Sequence, residues 1–313
     1  MRWPFIRLLP RAFHIDFVRL APFAAVVSAI LIAGSIGSFV YQGLNFGIDF
    51  RGGTLIEVQT PGHAAPLNEL RRALPAAGGA DAEVQGAGKP DLASLRFRTA
   101  GSDSVGAAQA VKQKLSVAFP GMVFKSVEVV GPKVSGELAV SGAKAVGIAL
   151  LLMLAYIWFR FQLQFGLGAV AAVFHDVFLT LGLLSVTHIE FSMTSIAALL
   201  TVIGYSMNEK VITFDRLREN LRKYKSAPLR EVINRSENER LSRTVITGTT
   251  AILALAGSLF LGGPVLFPLV FTMVFGIIIG TYSSVYVALP IILLWGVKRS
   301  DEPAEPLKPA TVR

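Results

Sequence analysis

Residues 163–186 read LQFGLGAVAAVFHDVFLTLGLLSV, an apolar stretch that carries His175 and Asp176 near its middle. About 20 apolar residues span the hydrocarbon core of a membrane, so this stretch is long enough to cross it. A carboxylate at that depth is energetically unfavourable, and such residues face a polar interior and mark ion or substrate pathways. Asp176 is therefore the first candidate functional residue.

The composition is typical of a membrane protein with several spans. The 313 residues have a mean hydropathy of +0.56, and only 16% of them are charged. The net charge of +9 does not indicate nucleic acid, because most basic residues flank apolar segments, where they set topology. The chain has no cysteine, which excludes disulfides and thiol chemistry. It also has no phosphate-binding Gly-Lys-Ser or Gly-Lys-Thr loop, so we expect no ATPase and no enzyme.

Apolar runs of about 20 residues predict an α-helical polytopic protein with six transmembrane helices. The Lys and Arg residues of the short loops predict that both termini are cytoplasmic. The predicted helices cover residues 20–41, 139–159, 163–186, 192–214, 244–262 and 268–295, and the predicted cytoplasmic parts are 1–19, the basic loop 215–243 and a disordered tail, 298–313.

Residues 45–138 separate the first two predicted helices and form a soluble insert. Alternating side chains predict a strand over residues 54–60, and the patterns that follow predict the order strand, helix, strand, strand, helix, strand. That order indicates an α+β ferredoxin-like (βαββαβ) domain. The topology predicts that this domain is periplasmic.

A set of short motifs along the chain resembles SecF, the smaller of the two SecD and SecF membrane subunits, within the resistance-nodulation-division transporter group. The resemblance covers nearly the whole chain, in the right order. Its motifs are Gly47-Ile48-Asp49-Phe50-Arg51-Gly52-Gly53, Val130-Gly131-Pro132-Lys133-Val134-Ser135, Phe174-His175-Asp176-Val177, Gly204-Tyr205-Ser206-Met207-Asn208, Phe214-Asp215-Arg216-Leu217-Arg218-Glu219-Asn220, Leu241-Ser242-Arg243-Thr244 and Gly280-Thr281-Tyr282-Ser283-Ser284.

The resemblance implies a subunit that uses the proton motive force to promote preprotein translocation into the periplasm. It implies a bacterial inner-membrane location, SecD, the SecYEG translocon and YajC as partners, unfolded preproteins as substrates, and contact with membrane lipid. It implies no cofactor, with protons as the coupling ion. In this family the acid of the His-Asp-Val motif and the arginine of the Phe-Asp-Arg motif are implicated in proton passage, and these fall on Asp176 and Arg216.

Two interpretations of each polar group remain open from the residues. Asp176 could carry protons or only bond a neighbouring helix, and His175 could tune it or face a polar cleft. Polar residues recur at helical spacing from Ser206 through Glu209 to Arg216, which predicts one polar stripe with Arg216 as the counter-charge of Asp176. Alternatively, Arg216 anchors the cytoplasmic end of its helix.

The chain departs from the family at Asn208-Glu209-Lys210, where SecF proteins usually have Asn-Asp followed by a small or hydroxylated residue. We expect Glu209 and Asn208 to belong to the proton pathway, and Lys210 to pair with a nearby acid such as Asp215. Asp215 is a further candidate for the pathway.

Glycines and prolines predict the junctions and a packing site. Gly52 and Gly53 with Asp49 predict a rigid junction at the start of the insert, and Gly131 with Pro132 predicts the matching one at its end. The Gly276 to Gly280 spacing is typical of closely packed membrane helices.

Three functions remain open. The sequence favours a proton-driven export subunit, and the alternatives are a small-molecule exporter of the same superfamily and a structural scaffold of the translocon that conducts no protons.

Overall fold

The computed structural model describes residues 13–87, 89–98 and 104–297. The predicted disordered tail, 298–313, and most of the predicted cytoplasmic segment 1–19 lie outside these residues. Within the described part, a bundle of long helices carries a small α+β domain between its first two members.

Five helices of the described part are long and apolar enough to cross a membrane. The chain is thus a multi-pass membrane protein in its helical part. These helices are α1 (Phe17–Tyr41), α5 (Pro132–Arg160), α6 (Leu163–Thr187), α8 (Leu229–Leu261) and a composite of α9 (Gly263–Ser283), a π-helical turn (Ser284–Ala288) and α10 (Leu289–Trp295).

The remaining long helix, α7 (Met193–Lys223), differs from these because polar and charged side chains interrupt its apolar sequence. It contains 31 residues and packs against α5, α6, α8 and α9, so it lies in the interior of the bundle. Its buried side chains include Ser206, Glu209, Lys210 and Thr213. Polar residues on this helix therefore meet one another away from lipid.

The basic segment predicted between two membrane helices, residues 215–243, is largely helical. Helix α7 continues to Lys223, and α8 already begins at Leu229 after a short connection that ends at Pro228. The sequence has no proline between Leu229 and Leu261, so nothing interrupts the helix where the apolar part begins. This extension places charged side chains of α8 against α7.

Glycines allow α9 to approach α7 closely. A side chain at Gly276 would collide with Val202, and a Cβ atom at Gly280 would lie 3.1 Å from the Cα atom of Ser206. Both residues of the predicted packing site therefore face α7. The close approach brings Ser283, one turn beyond Gly280, within reach of the polar residues of α7.

The α+β domain has one four-stranded antiparallel sheet in the order β2-β3-β1-β4. Alternate residues of β1 and β3 are buried, which places one face of the sheet against a core that includes Ile56, Leu95 and Phe97. The elements are α2 (Ile48–Arg51), β1 (Gly53–Gln59), α3 (Leu67–Ala77), β2 (Ala80–Gly86), β3 (Leu92–Arg98), α4 (Ser104–Ala118) and β4 (Val123–Val130).

The ends of the domain join the membrane helices through tight backbone geometry. Gly52 and Gly53 have φ angles of 70° and 127°, in the region that favours glycine, and a Cβ atom at Gly53 would lie 2.8 Å from the carbonyl oxygen of Phe97. At the other end Gly131 precedes α5, whose first residue is Pro132, where the missing N–H costs no helical hydrogen bond.

Candidate functional site

Three helices bring a buried ion pair together in the middle of the bundle. Asp176 lies on α6, Lys210 lies on α7, and both residues have 0% of their surface exposed. The Nζ atom of Lys210 donates a hydrogen bond to Oδ2 of Asp176 at 2.9 Å. A buried pair of this kind needs further hydrogen bonds to offset the loss of hydration of both charges.

Hydroxyl groups on two helices supply those bonds. Ser206 precedes Lys210 by one helical turn, and its Oγ donates to Oδ2 of Asp176 at 2.6 Å while accepting from Lys210 at 2.7 Å. Ser283 of α9 donates to the same carboxylate oxygen at 2.7 Å and accepts from Lys210 at 2.8 Å. The four groups form a closed network, which we call the Asp176 cluster.

His175 contacts the other oxygen of Asp176. Its Nδ1 atom lies 3.0 Å from Oδ1 of Asp176, and its Nε2 atom lies 3.1 Å from Oγ of Ser28 on α1. The two ring nitrogens of His175 thus contact a carboxylate on one side and a hydroxyl group on the other. His175 and Ser28 also line a groove of about 700 Å³ between α1, α6 and the last helices. The histidine therefore stands between the buried acid and an open surface.

A second buried set of charges lies beside the first and is called the Glu209 cluster. Arg240 of α8 donates from Nε to both carboxylate oxygens of Glu237 at 2.8 Å, and its second terminal nitrogen lies 2.6 Å from Oε2 of that residue. Arg240 also approaches Oε2 of Glu209 at 3.4 Å, and Thr244 donates to the same oxygen at 3.3 Å. All three charged side chains are buried.

Two consecutive serines, where α9 passes into the π-helical turn, contact both clusters. Ser283 bonds within the Asp176 cluster, and Ser284 accepts a hydrogen bond from Arg240 at 3.1 Å. The helix changes to π-helical geometry at Ser284, and such turns often occur at functional sites. A displacement of this part of the helix therefore affects both clusters together.

The predicted counter-charge of Asp176 was wrong. Arg216 lies beyond Lys210 on α7 and instead bonds Glu219 at 2.6 Å and Glu239 at 2.7 Å, with 35% of its side chain exposed. Residues 206 and 210 share the helix face toward α6, so Lys210 is close to Asp176. Arg216 lies six positions beyond Lys210 and does not share that face.

The predicted partner of Lys210 was also wrong. Asp215 pairs with Arg160 at 2.8 Å on a partly exposed surface, away from the buried pair. Asn208 is exposed on α7. The structure thus brings together Asp176, His175 and Lys210, and it places Glu209 beside them with Arg240.

Glu237 and Arg240 were missed at the level of sequence because they fell in the predicted basic loop. Their spacing carries a signal in retrospect: Glu237, Arg240 and Thr244 follow one another at three and four residues, which places them on one face of a helix. A charged stripe that continues into an apolar run indicates a face that is covered by another helix.

The junction of the α+β domain contacts the start of α7 directly. The Oδ2 atom of Asp49 accepts a hydrogen bond from the backbone N–H of Met193, the first residue of α7, at 2.8 Å. The first N–H groups of a helix have no partner within the helix, and a negative charge is favourable there. Asp49 thereby ties the junction to the helix that carries Lys210.

A second set of contacts strengthens this attachment. Phe46 pairs with Phe191 in a short parallel bridge just before α7. Arg96 of β3 forms ion pairs with Glu190 at 2.6 Å and with Glu83 at 3.2 Å. The sheet, the segment after α1 and the segment before α7 are thus joined by backbone and side-chain bonds.

Acidic side chains accumulate at this junction. Partial burial raises the pKa of Glu128 on β4, and the nearby carboxylates Glu57, Asp49 and Glu190 raise it further. At the junction the carboxyl group of Glu128 therefore binds a proton more readily than an isolated glutamate does.

Two family models match the chain. The model described as protein export membrane protein SecD/SecF, C-terminal, covers residues 110–298, and the model described as SecD/SecF GG motif covers residues 37–60. The second match contains Asp49, Gly52 and Gly53 of the junction. The first contains both buried clusters.

Curated relatives match over almost the whole length. A protein translocase subunit SecF from Cereibacter sphaeroides is 44% identical over 94% of this chain and 93% of its own. A subunit SecF from Rickettsia bellii is 38% identical over 95% and 98%. A protein translocase subunit SecDF from Brucella abortus is 39% identical over 96% of this chain and only 39% of its own, because it is a longer protein.

A solved structure has the same fold. The crystal structure of SecDF, a translocon-associated membrane protein from Thermus thermophilus, superposes with a TM-score of 0.83 and 33% sequence identity. The match covers 94% of this chain and 40% of that chain. The described chain therefore corresponds to one portion of the longer SecDF protein.

Proposed function

The chain belongs to the SecD/SecF family of protein export membrane proteins and is a protein translocase subunit, and from this premise we propose that it couples proton movement to export through Asp176. It does so as the SecF-type subunit, together with a SecD partner, and promotes the translocation and release of preproteins into the periplasm. The observation that carries the proposal is the fully buried pair of Asp176 and Lys210 between α6, α7 and α9.

The chemical step is the gain and loss of one proton at the carboxylate of Asp176. In its ionised form Asp176 accepts bonds from Lys210, Ser206 and Ser283. When a carboxylate oxygen takes a proton, the acid becomes neutral and Lys210 loses its counter-charge in a medium of low dielectric constant. The contact of α6 with α7 and α9 then changes in energy, so one proton shifts the balance between two helix arrangements.

The contacts of His175 support access of protons to this acid. Its ring bonds Asp176 on one side and Ser28 of α1 on the other, so an imidazole that can carry a proton connects the buried carboxylate to a second helix. Arg216, Glu209, Asn208 and Asp215 are further members of the proposed pathway, toward the basic end of α7.

Helix α7 passes the change to the soluble domain. Lys210 lies near its middle, and its first backbone N–H is bound by Asp49 of the junction. The ion pair of Glu190 with Arg96 connects the segment before α7 to the sheet. A shift or rotation of α7 therefore moves the domain that follows α1. Gly52, Gly53, Gly131 and Pro132 fix the two chain connections around which that movement takes place.

The proposed arrangement in the cell follows from the basic residues and the family. Six helices cross the bacterial inner membrane, α7 being the sixth, and both termini are cytoplasmic. The α+β domain is ferredoxin-like and periplasmic. The relative from Brucella abortus is named SecDF, a name that combines SecD and SecF, and this supports a SecD partner. SecYEG, YajC and unfolded preproteins complete the proposed assembly, and protons are the coupling ion without a cofactor.

The test is export in a strain that depends on this subunit. Asp176→Asn removes the proton-binding carboxylate, and the double variant Asp176→Asn with Lys210→Met also removes the lysine that would remain buried without a counter-charge. We expect both variants to reach the membrane with SecD, and we expect export to fall to the level of a strain that lacks the subunit.

Glu231→Gln is the matched control, because Glu231 is an exposed acid in the first turn of α8. It should export normally. Full export by the double variant would contradict proton coupling at Asp176 and would favour the scaffold function.

A further inference from the structure

The Glu209 cluster contains one acid more than it contains bases. Glu209 and Glu237 are both buried, and Arg240 is the base that bonds them. A buried ionised carboxylate without a matched charge is strongly unfavourable. Arg240 cannot serve both acids equally, because it bonds Glu237 through two nitrogens at 2.6–2.8 Å and reaches Glu209 only at 3.4 Å.

The hydrogen bonds of Glu209 show directly that the cluster has too few bases. Its Oε1 atom is buried and has no hydrogen-bond partner among the described residues, and its Oε2 atom has only the two long contacts from Arg240 and Thr244. An ionised carboxylate normally accepts several hydrogen bonds when it is buried. The free oxygen of Glu209 therefore has the environment of a neutral carboxyl group.

The neighbouring charges do not supply the missing base. Lys210 lies close enough to interact with Glu209, but its counter-charge is Asp176. The five buried Asp, Glu, Lys and Arg side chains of the described chain are thus three acids and two bases. His175 bonds Asp176 and Ser28, on the far side of the ion pair. Tyr205 of α7 and Tyr286 of the π-helical turn lie within electrostatic range of Glu209 and Glu237, respectively, and a phenol supplies no base.

We propose that Glu209 and Glu237 together bind one exchangeable proton, with Arg240 as their shared counter-charge. The site is distinct from Asp176, and Ser283 of α9 and Ser284 of the π-helical turn connect the two. In the observed arrangement the proton resides on Glu209 and Arg240 pairs with ionised Glu237. When the proton moves to Glu237, Arg240 pairs with Glu209 instead, and the guanidinium group moves between α8 and α7.

The role of this site in transport rests on the proposed function. In that function the site is a second buried position that a proton can occupy, in addition to Asp176 on α6. Its occupancy by a proton does not depend on that function. A proton that moves between the two acids requires no other reactant, since one O–H bond forms on the accepting carboxylate as the other breaks.

The test is infrared difference spectroscopy of the full chain with its SecD partner in lipid vesicles at neutral pH. We expect a carbonyl band of a protonated carboxylic acid that shifts in D₂O, as an exchangeable proton requires. Glu209→Gln and Glu237→Gln should each abolish the band, because the remaining acid then pairs with Arg240 in ionised form. Glu239→Gln is the matched control: it lies on α8, pairs with Arg216 and Arg235, and should keep the band.

Asp176→Asn separates this proposal from the proposed function. The band should persist in Asp176→Asn, whatever that variant does to export. A band that disappears in Asp176→Asn, or that survives in both Glu209→Gln and Glu237→Gln, would place the proton elsewhere and overturn the assignment. Absence of the band in the unmodified protein, with Na⁺ binding in its place, would show a metal cation site and would also overturn it.

Discussion

The two buried clusters on α7 differ in how completely their charges are matched. In the Asp176 cluster one acid faces one base, and Oδ2 of Asp176 accepts bonds from Lys210, Ser206 and Ser283. In the Glu209 cluster two acids share one base, and no group in the described part of the chain bonds Oε1 of Glu209. The two sites are adjacent along the chain, at residues 209 and 210, but they face different helices.

The difference teaches that burial alone does not indicate which acid exchanges protons. A matched pair is a balanced state, so under the proposed function protonation of Asp176 would leave Lys210 without its counter-charge and change the contact between the helices. In the mismatched set, the proposed single proton can reside on either of the two acids that share Arg240. In the proposed pathway the Glu209 cluster holds a proton, and the Asp176 cluster changes its contacts when a proton binds.

The largest expected effect is the loss of Lys210. Lys210→Met leaves Asp176 buried without its base, and removal of one partner of a buried pair costs about 3 to 5 kcal/mol. We expect a large decrease in the thermal unfolding temperature of the purified protein. The double variant Asp176→Asn with Lys210→Met should recover most of that loss. Equal destabilisation by the single and double variants would contradict the matched pair.

Glu237→Gln sharpens the comparison in the other cluster. It leaves one acid and one base, so we expect the free energy of unfolding to change by less than about 1 kcal/mol, the scale of a single neutral hydrogen bond. Arg240→Met is the contrasting variant, because it leaves two buried acids without a base and should cost about as much as Lys210→Met. Thermal unfolding of both variants in the same detergent measures this contrast. Similar costs for Glu237→Gln and Arg240→Met would argue against excess acid in the cluster.

The link between the clusters and the soluble domain predicts a smaller effect. Asp49→Ala removes the acceptor for the N–H of Met193, and the loss of a helix cap costs about 1 kcal/mol. Hydrogen exchange should increase at the first turn of α7 and at the junction. Glu69→Ala is a control, since Glu69 is an exposed acid on α3. Unchanged exchange at the start of α7 would show that Asp49 does not hold the helix.

The smallest effect concerns pH at the junction. Burial and neighbouring acids raise the pKa of Glu128 in the folded state, so the folded state binds a proton more tightly than the unfolded chain does. This contribution to stability is present at acidic pH and is lost as the pH rises through the folded pKa. Glu128→Gln should therefore raise stability at neutral pH by about 0.5 kcal/mol or less, as for other partly exposed charges. If the unmodified protein and Glu128→Gln each have the same thermal stability at acidic and neutral pH, the raised pKa of Glu128 does not affect stability.

Much of the fold could be predicted because its signals are local. Apolar runs predicted helices over 20–41, 139–159 and 163–186, which the structure begins at Phe17, Pro132 and Leu163, and alternating side chains marked β1. Helix α5 begins earlier than predicted, within the segment assigned to the insert. The extension of α7 and α8 could not be predicted from hydropathy, because residues 215–243 are polar there. Their helical structure follows from the absence of breakers and from burial against neighbouring helices.

The site was predictable only in part, because partners depend on how helices are rotated against one another. Asp176 was visible as an acid within an apolar run. Lys210 had acids on either side in sequence, and only the packing of α7 against α6 directs it to Asp176 and not to Asp215. The spacing of Glu237 and Arg240 indicates a covered helix face, but their partner Glu209 follows only from the contact between α7 and α8.

Proton flux through the assembled protein tests the central claim most directly. The full chain with its SecD partner is placed in vesicles that contain a pH-sensitive dye, and an inward proton gradient is applied. We predict that the unmodified protein acidifies the lumen faster than empty vesicles do, and that the double variant Asp176→Asn with Lys210→Met acidifies it no faster. Acidification by the double variant at the unmodified rate would contradict proton passage through Asp176.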